Sequence, residues 1–163
     1  MHRAFTHADI PHAFGGALAL ARCTAQARGT IDIDVNVFMG GEAVERVVAG
    51  LPKAVKCSDA DVVVLRCELQ HRLWWDHTPI ELFLNVTPYH DAMSARVRWE
   101  SFAGSYLPFL GCKDLAVFSK LFSIERRTGR ILKPCGMQVP STSITLQQPS
   151  SGCWALTMNV WGD

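Results

Sequence analysis

The chain has 163 residues, 48% of them hydrophobic and 19% charged, with 16 Lys and Arg against 15 Asp and Glu for a formal net charge of +1. That length fits one domain with a real hydrophobic core and leaves no room for a two-domain enzyme. The charge balance excludes a bulk polycation that holds nucleic acid by net charge alone, and no apolar run approaches the roughly 20 residues of a membrane helix.

Ile10 to Phe14 reads as a short apolar strand. Gly15-Gly16 forms a turn, and Ala17 to Arg22 is a strong helix former. From Thr30 to Phe38 the period becomes two, with Ile31, Ile33, Val35 and Val37 on one face and Thr30, Asp32, Asp34 and Asn36 on the other. Gly41 to Leu51 reads as a helix closed by Pro52, and Ser58 as the N-cap of a helix over Ala60 to Glu68. Strands at His71 to Trp75 and Ile80 to Val86, joined by Asp76 to Pro79, predict a hairpin. A helix over Tyr89 to Val97, a hairpin over Glu100 to Phe109 and a helix over Lys113 to Leu121 complete an α/β (α+β) pattern, a mixed sheet flanked by helices.

The six cysteines, Cys23, Cys57, Cys67, Cys112, Cys135 and Cys153, contain no C-x-x-C pair. The chain is long and aliphatic enough to fold without staples, so reduced thiols in a cytoplasmic protein are expected, and neither Cys23 nor Cys112 has an evident partner. Ala13 to Ala21 imitates a signal h-region, but Gly15-Gly16 interrupts it and Arg22 precedes Cys23 where a small residue belongs. His71, His77 and His90 lie at no metal-ligand spacing. Trp74, Trp75 and Trp99 adjoin strands and are expected in the core rather than as base-stacking surfaces.

The chemistry concentrates in Gly15-Gly16 and in Asp32 and Asp34. Paired glycines before a helix let a ligand approach the backbone and the helix N-terminus, which suits phosphate. Carboxylates at i and i+2 on one strand face can hold Mg²⁺ against a triphosphate. Glu81, opposed to Ile80 and Leu82 in an alternating run, is a candidate third acid. Taken singly, each feature is also what a solvated sheet face or a plain turn looks like; their order along the chain is more specific.

Pro11 to Leu20 (P-H-A-F-G-G-A-L-A-L), followed by Arg28 to Phe38 (R-G-T-I-D-I-D-V-N-V-F), resembles the glycine-pair and acid-x-acid signature of the nucleotidyltransferase superfamily. The closest resemblance is to the AbiEii/AbiGii-type and MenT-type toxin nucleotidyltransferases. Pro79 to Leu84, Phe102 to Gly104, Leu107 to Leu110 and Asp114 to Phe118 resemble later segments of that branch. The resemblance covers roughly residues 8–121. It implies that Gly15, Gly16 and Thr30 bind the nucleotide, that Asp32 and Asp34 bind Mg²⁺, and that Glu81 completes the catalytic acids. It also implies a nucleoside triphosphate as substrate, an acceptor such as a tRNA 3′ end, and a cognate antitoxin as partner. The alternative is a catalytically inactive module that binds nucleotide or antitoxin.

The likeness ends near residue 123, which divides a domain over 1–122 from a divergent, poorly structured tail over 123–163. Members of that branch continue into F-N-R-T-K-D-x-A-D-I-E-A-M, whose Lys and Asp contribute to the site, whereas Ser123 to Cys135 read S-I-E-R-R-T-G-R-I-L-K-P-C. A shifted reading frame relates the two, permitting D-R-A-D-I-E-A-M over Thr128 to Cys135. Residues 134–162 contain no Asp, Glu, Lys, Arg or His. The basic run of Arg126, Arg127, Arg130 and Lys133 is then accidental rather than a phosphate-binding surface. Sequencing the gene across the codons for Phe118 to Asp163 is expected to find an R-T-K-D-x-A-D-I-E-like segment in a neighbouring frame; its absence from every frame would make 123–163 a genuine replacement element.

Overall fold

The computed structural model describes residues 1–27, 29–85 and 87–128, with side chains as far as Lys120. In chain order the elements begin with α1 (His2–His7), β1 (His12–Phe14), α2 (Gly16–Thr24) and β2 (Ile33–Val37). A 3-10 turn at Gly41–Ala43 leads into α3 (Val44–Ala49), followed by β3 (Val55–Lys56), α4 (Asp59–Glu68), β4 (Gln70–Trp75) and β5 (Thr78–Phe83). Then come α5 (Pro88–Met93) with a 3-10 turn at Ser94–Arg96, β6 (Arg98–Phe102), β7 (Ser105–Phe109) and α6 (Cys112–Thr128).

The strands make one sheet in the order β3-β4-β5-β2-β1-β7-β6. The β2–β5 and β1–β7 pairs are parallel and the others antiparallel, so the sheet is mixed and the expected α+β class holds. Val35, Val37, Ile80 and Leu82, alternate residues of the two central strands, are completely buried, as the period of two requires. Among the described residues no helix is long and apolar enough to cross a membrane.

Local chemistry explains the element ends. Ser58 and Asp61 form a reciprocal capping box at the start of α4. Asp61 also receives a 2.7 Å hydrogen bond from His71 of β4, and these bonds, those with Ser58 foremost, lower its pKa to about 2. The β4–β5 hairpin turns at Asp76-His77. The β6–β7 hairpin turns at Ala103 and Gly104, both with positive φ, as a tight two-residue turn demands.

Several expectations are corrected. The strand expected over Thr30 to Phe38 begins only at Ile33, because β5 pairs with it from that residue onward; Ile31 is 83% exposed and Asp32 precedes the strand. The helix expected over Gly41 to Leu51 is a 3-10 turn plus a shorter α3, and that over Tyr89 to Val97 ends as a 3-10 turn. Trp74 and Trp99, expected in the core, are 45% and 57% exposed, Trp99 because it lies on the outermost strand. Cys23 and Cys112 are not free thiols but a disulfide with Cα atoms 5.5 Å apart; the fold brings the end of α2 to the start of α6, a proximity invisible in residue spacing. Helix α6 continues through residue 123 to Thr128, and the expected tail from 129 onward lies outside the described residues.

His90 on α5 is fully buried among Phe38 and Phe118, and neither ring nitrogen has a hydrogen-bond partner of good geometry. Burial pushes its pKa down to about 4, with weaker opposing effects from the Leu84 backbone and Asp91. The unfolded chain, with an ordinary value of 6.5, therefore takes up this proton first. Stability from this group is full above about pH 6.5, falls towards pH 4 and levels off below, by about 3 kcal/mol in all. Denaturant unfolding at several pH values should show this loss in the native chain and a flatter profile between pH 6.5 and 4 in His90→Leu.

Candidate functional site

The glycine pair is required sterically. Gly15 is the N-cap of α2, and its N–H donates to the Asp34 backbone carbonyl at 3.0 Å. A Cβ on Gly15 would lie 2.7 Å from Asn36 Nδ2. At Gly16, where φ is +52°, a Cβ would overlap Asp34 Oδ2. Only a chain without side chains there can seat the first turn of α2 against the Asp34 carboxylate.

The acids divide into two sets. Asp34 and Glu81 are direct partners in the parallel β2–β5 register, so their side chains leave the same face on adjacent strands. Arg72, opposite Glu81 on β4, forms an ion pair with it, which extends the row across three strands. Asp32 stands outside the sheet, where its carboxylate accepts a hydrogen bond from the exposed Thr30 hydroxyl. Among the described residues no three His, Cys, Asp or Glu side chains converge as a metal cage. Mg²⁺ commonly takes one or two carboxylates and completes its octahedron with phosphate oxygens and water. Asp34, a hard oxygen donor against the glycine turn, is of the kind that mode uses, whereas Asp32 lies before the strand with its carboxylate on Thr30.

Two cavities open at this point. One of about 150 Å³ lies between Gly16, Asp34 and Asn36 on one side and Phe83, Leu115 and Phe118 on the other. A larger one of about 450 Å³ runs from Gly16 between α2 and α6, past Leu20, Cys23 and Cys112 to Ser119 and Lys120. Asn36 is 1% exposed, and its Oδ1 has no hydrogen-bond partner among the described residues. It belongs to the site although only Asp32 and Asp34 attract attention in sequence; the signal was its place two residues after Asp34. Ser119 and Lys120 carry no sequence signal, since only the packing of α6 brings them to the cavity.

Helix α6 is held in place as one wall. Arg96 grips Asp114 with Nη2 on Oδ1 at 2.8 Å and Nε on Oδ2 at 3.1 Å, and the Tyr89 hydroxyl donates to Oδ1 at 2.8 Å. Burial raises the Asp114 pKa, but these hydrogen bonds outweigh it and hold the carboxyl below its ordinary value. No protein-family model matches the chain, and no curated protein matches it.

The Gly16–Asp34 contact predicts a specific coupling. Gly16→Ala should destabilise the native chain by about 1–3 kcal/mol, and in an Asp34→Ala background the same change should cost at least about 1 kcal/mol less. Chemical denaturation of the four-member cycle measures this, and additive costs would show that the carboxylate does not set the steric limit.

Proposed function

We propose that the chain is a nucleotidyltransferase-like protein whose cleft takes a nucleoside triphosphate together with Mg²⁺. The observation that carries this reading is the seating of the α2 N-terminus on Asp34 through Gly15 and Gly16, with Glu81 on the next strand. The first amides of a helix lack intrahelical acceptors and favour phosphate oxygens. Here they adjoin a carboxylate, so a triphosphate needs a cation between the two negative groups. The apolar side of the cleft, Phe83, Leu115 and Phe118, suits the flat face of a base.

Asp34 and Asp32 would hold the ion, which when bound offsets charge on the triphosphate and polarises the α-phosphate. Gly15 and Gly16 would position the phosphate chain, and Thr30, whose hydroxyl donates to Asp32, would act on the nucleotide through that acid. An acceptor hydroxyl, such as that of a tRNA 3′ end, attacks the α-phosphate; the new P–O bond forms as the bond to pyrophosphate breaks. Toxin activity, restraint by a cognate antitoxin and a cytoplasmic location follow from the same resemblance.

A second reading, a nucleotide- or antitoxin-binding module without turnover, is favoured by one observation. Glu81 is engaged by Arg72 rather than standing free beside Asp34. Loss of the Lys and Asp that the resemblance expects after residue 123 points the same way, so transfer by this chain is expected to be weak.

Calorimetry with each nucleoside triphosphate should find binding only with Mg²⁺, weakened about tenfold or more in Asp34→Asn. Labelled triphosphate and tRNA should give little transfer. Efficient labelling that Asp32→Ala abolishes would overturn the weakened reading, and absence of Mg²⁺-dependent binding would overturn the nucleotide site itself.

A further inference from the structure

The Cys23–Cys112 bond joins the last turn of α2 to the first residue of α6, and both residues line the cavity that opens at Gly16. Both residues are partly exposed, so a small reagent can reach them. Cys112 sits at the N-terminus of a 17-residue helix, and Arg98 Nη1 lies 3.6 Å from its sulfur while another nitrogen of Arg98 holds Glu100. A positive helix end and a guanidinium both favour a thiolate. Cys23 lies in the last turn of α2, beside Arg22 in sequence and at the opposite end from that helix's electropositive first amides. In disulfide exchange the sulfur that better carries negative charge is the better leaving group.

We propose that this disulfide is a reversible thiol-exchange site, in which an external small-molecule thiol becomes attached to Cys23 while Cys112 departs, and that its state sets how far α2 and α6 can part over the cavity. The incoming thiolate sulfur bonds to Cys23 Sγ, the Cys23–Cys112 bond breaks, and its electron pair stays on Cys112 as a thiolate beside Arg98. A second external thiolate attacks the external sulfur of the mixed disulfide and releases Cys23. Two thiols thereby supply two electrons and leave as their own disulfide, while two protons end on Cys23 and Cys112. A small-molecule disulfide drives the sequence in reverse. The bond closes a span of 89 residues, so breaking it removes the covalent tie between α2 and α6 and leaves only their direct packing on each other. The thiol chemistry stands without the nucleotide reading; the effect on ligand rests on it.

The test uses the full chain. After treatment with glutathione disulfide, a non-reducing digest should yield the Cys23 and Cys112 peptides linked. A brief pulse of reduced glutathione with acid quench should place the adduct on Cys23 over Cys112 by at least about tenfold. Amide exchange should rise on reduction in α2 and the start of α6 but not in α4, β4 or β5. Mg²⁺·ATP, the probe nucleotide, should bind the two states with affinities at least about fivefold apart. Failure to recover the linked peptide, or equal adducts on both cysteines, would overturn the exchange site. Unchanged amide exchange, or equal Mg²⁺·ATP affinity in both states, would overturn its control of the cleft. If Mg²⁺·ATP binds neither state while peptides and exchange behave as stated, the exchange site stands and the nucleotide reading falls.

Discussion

The Asp34 carboxylate lies so near the backbone of Gly16 that a methyl group there would overlap it, and the arrangement of the cleft follows from that approach. It sets α2 against the start of β2, which in turn positions the last turn of α2 beside α6. The backbone bond from Gly15 to Asp34 holds the turn in place from the other side. A charged group packed against main chain is tolerable because the amides at a helix start are electropositive and lack internal acceptors. The fold thus supplies half of an electrostatic pair in advance.

The second wall is assembled from unrelated pieces. Phe118 packs edge-on against Phe83 and tilts against His90, while Asp114 is gripped by Arg96 and Tyr89. The Asp114 network is fully paired, which makes α6 a rigid boundary near its start. His90 is the contrasting case, a polar ring placed among aromatics without partners of good geometry, where shape complementarity outweighs the cost of its nitrogens.

Much of this is legible in the sequence where one short-range rule governs. Alternation places Asp34 and Asn36 on one face, the S-x-x-D pattern marks the start of α4, and paired glycines before an alanine-rich run mark α2. The Glu81 placement is partly legible: alternation gives its face, but its partnership with Asp34 depends on a parallel register set by everything between the strands. What lies beyond local rules is not legible. Asp32 continues the alternation on paper, yet β5 offers no partner for it. Trp99 has strand-like neighbours but an outermost strand, and Cys23 and Cys112 meet only because two helices cross.

The parallel pairing of β1 with β7 joins Phe14 to Phe109, across most of the described chain. Such a pair pays the loop-closure entropy of nearly everything between before its first hydrogen bond forms. During synthesis β1 can already pair with β2 on one side, but its other edge stays open until β7 has emerged. Helix α6, the far wall of the cleft, comes later still. The glycine turn therefore stays unroofed until α6 has been made, and the cleft is complete only once that helix docks.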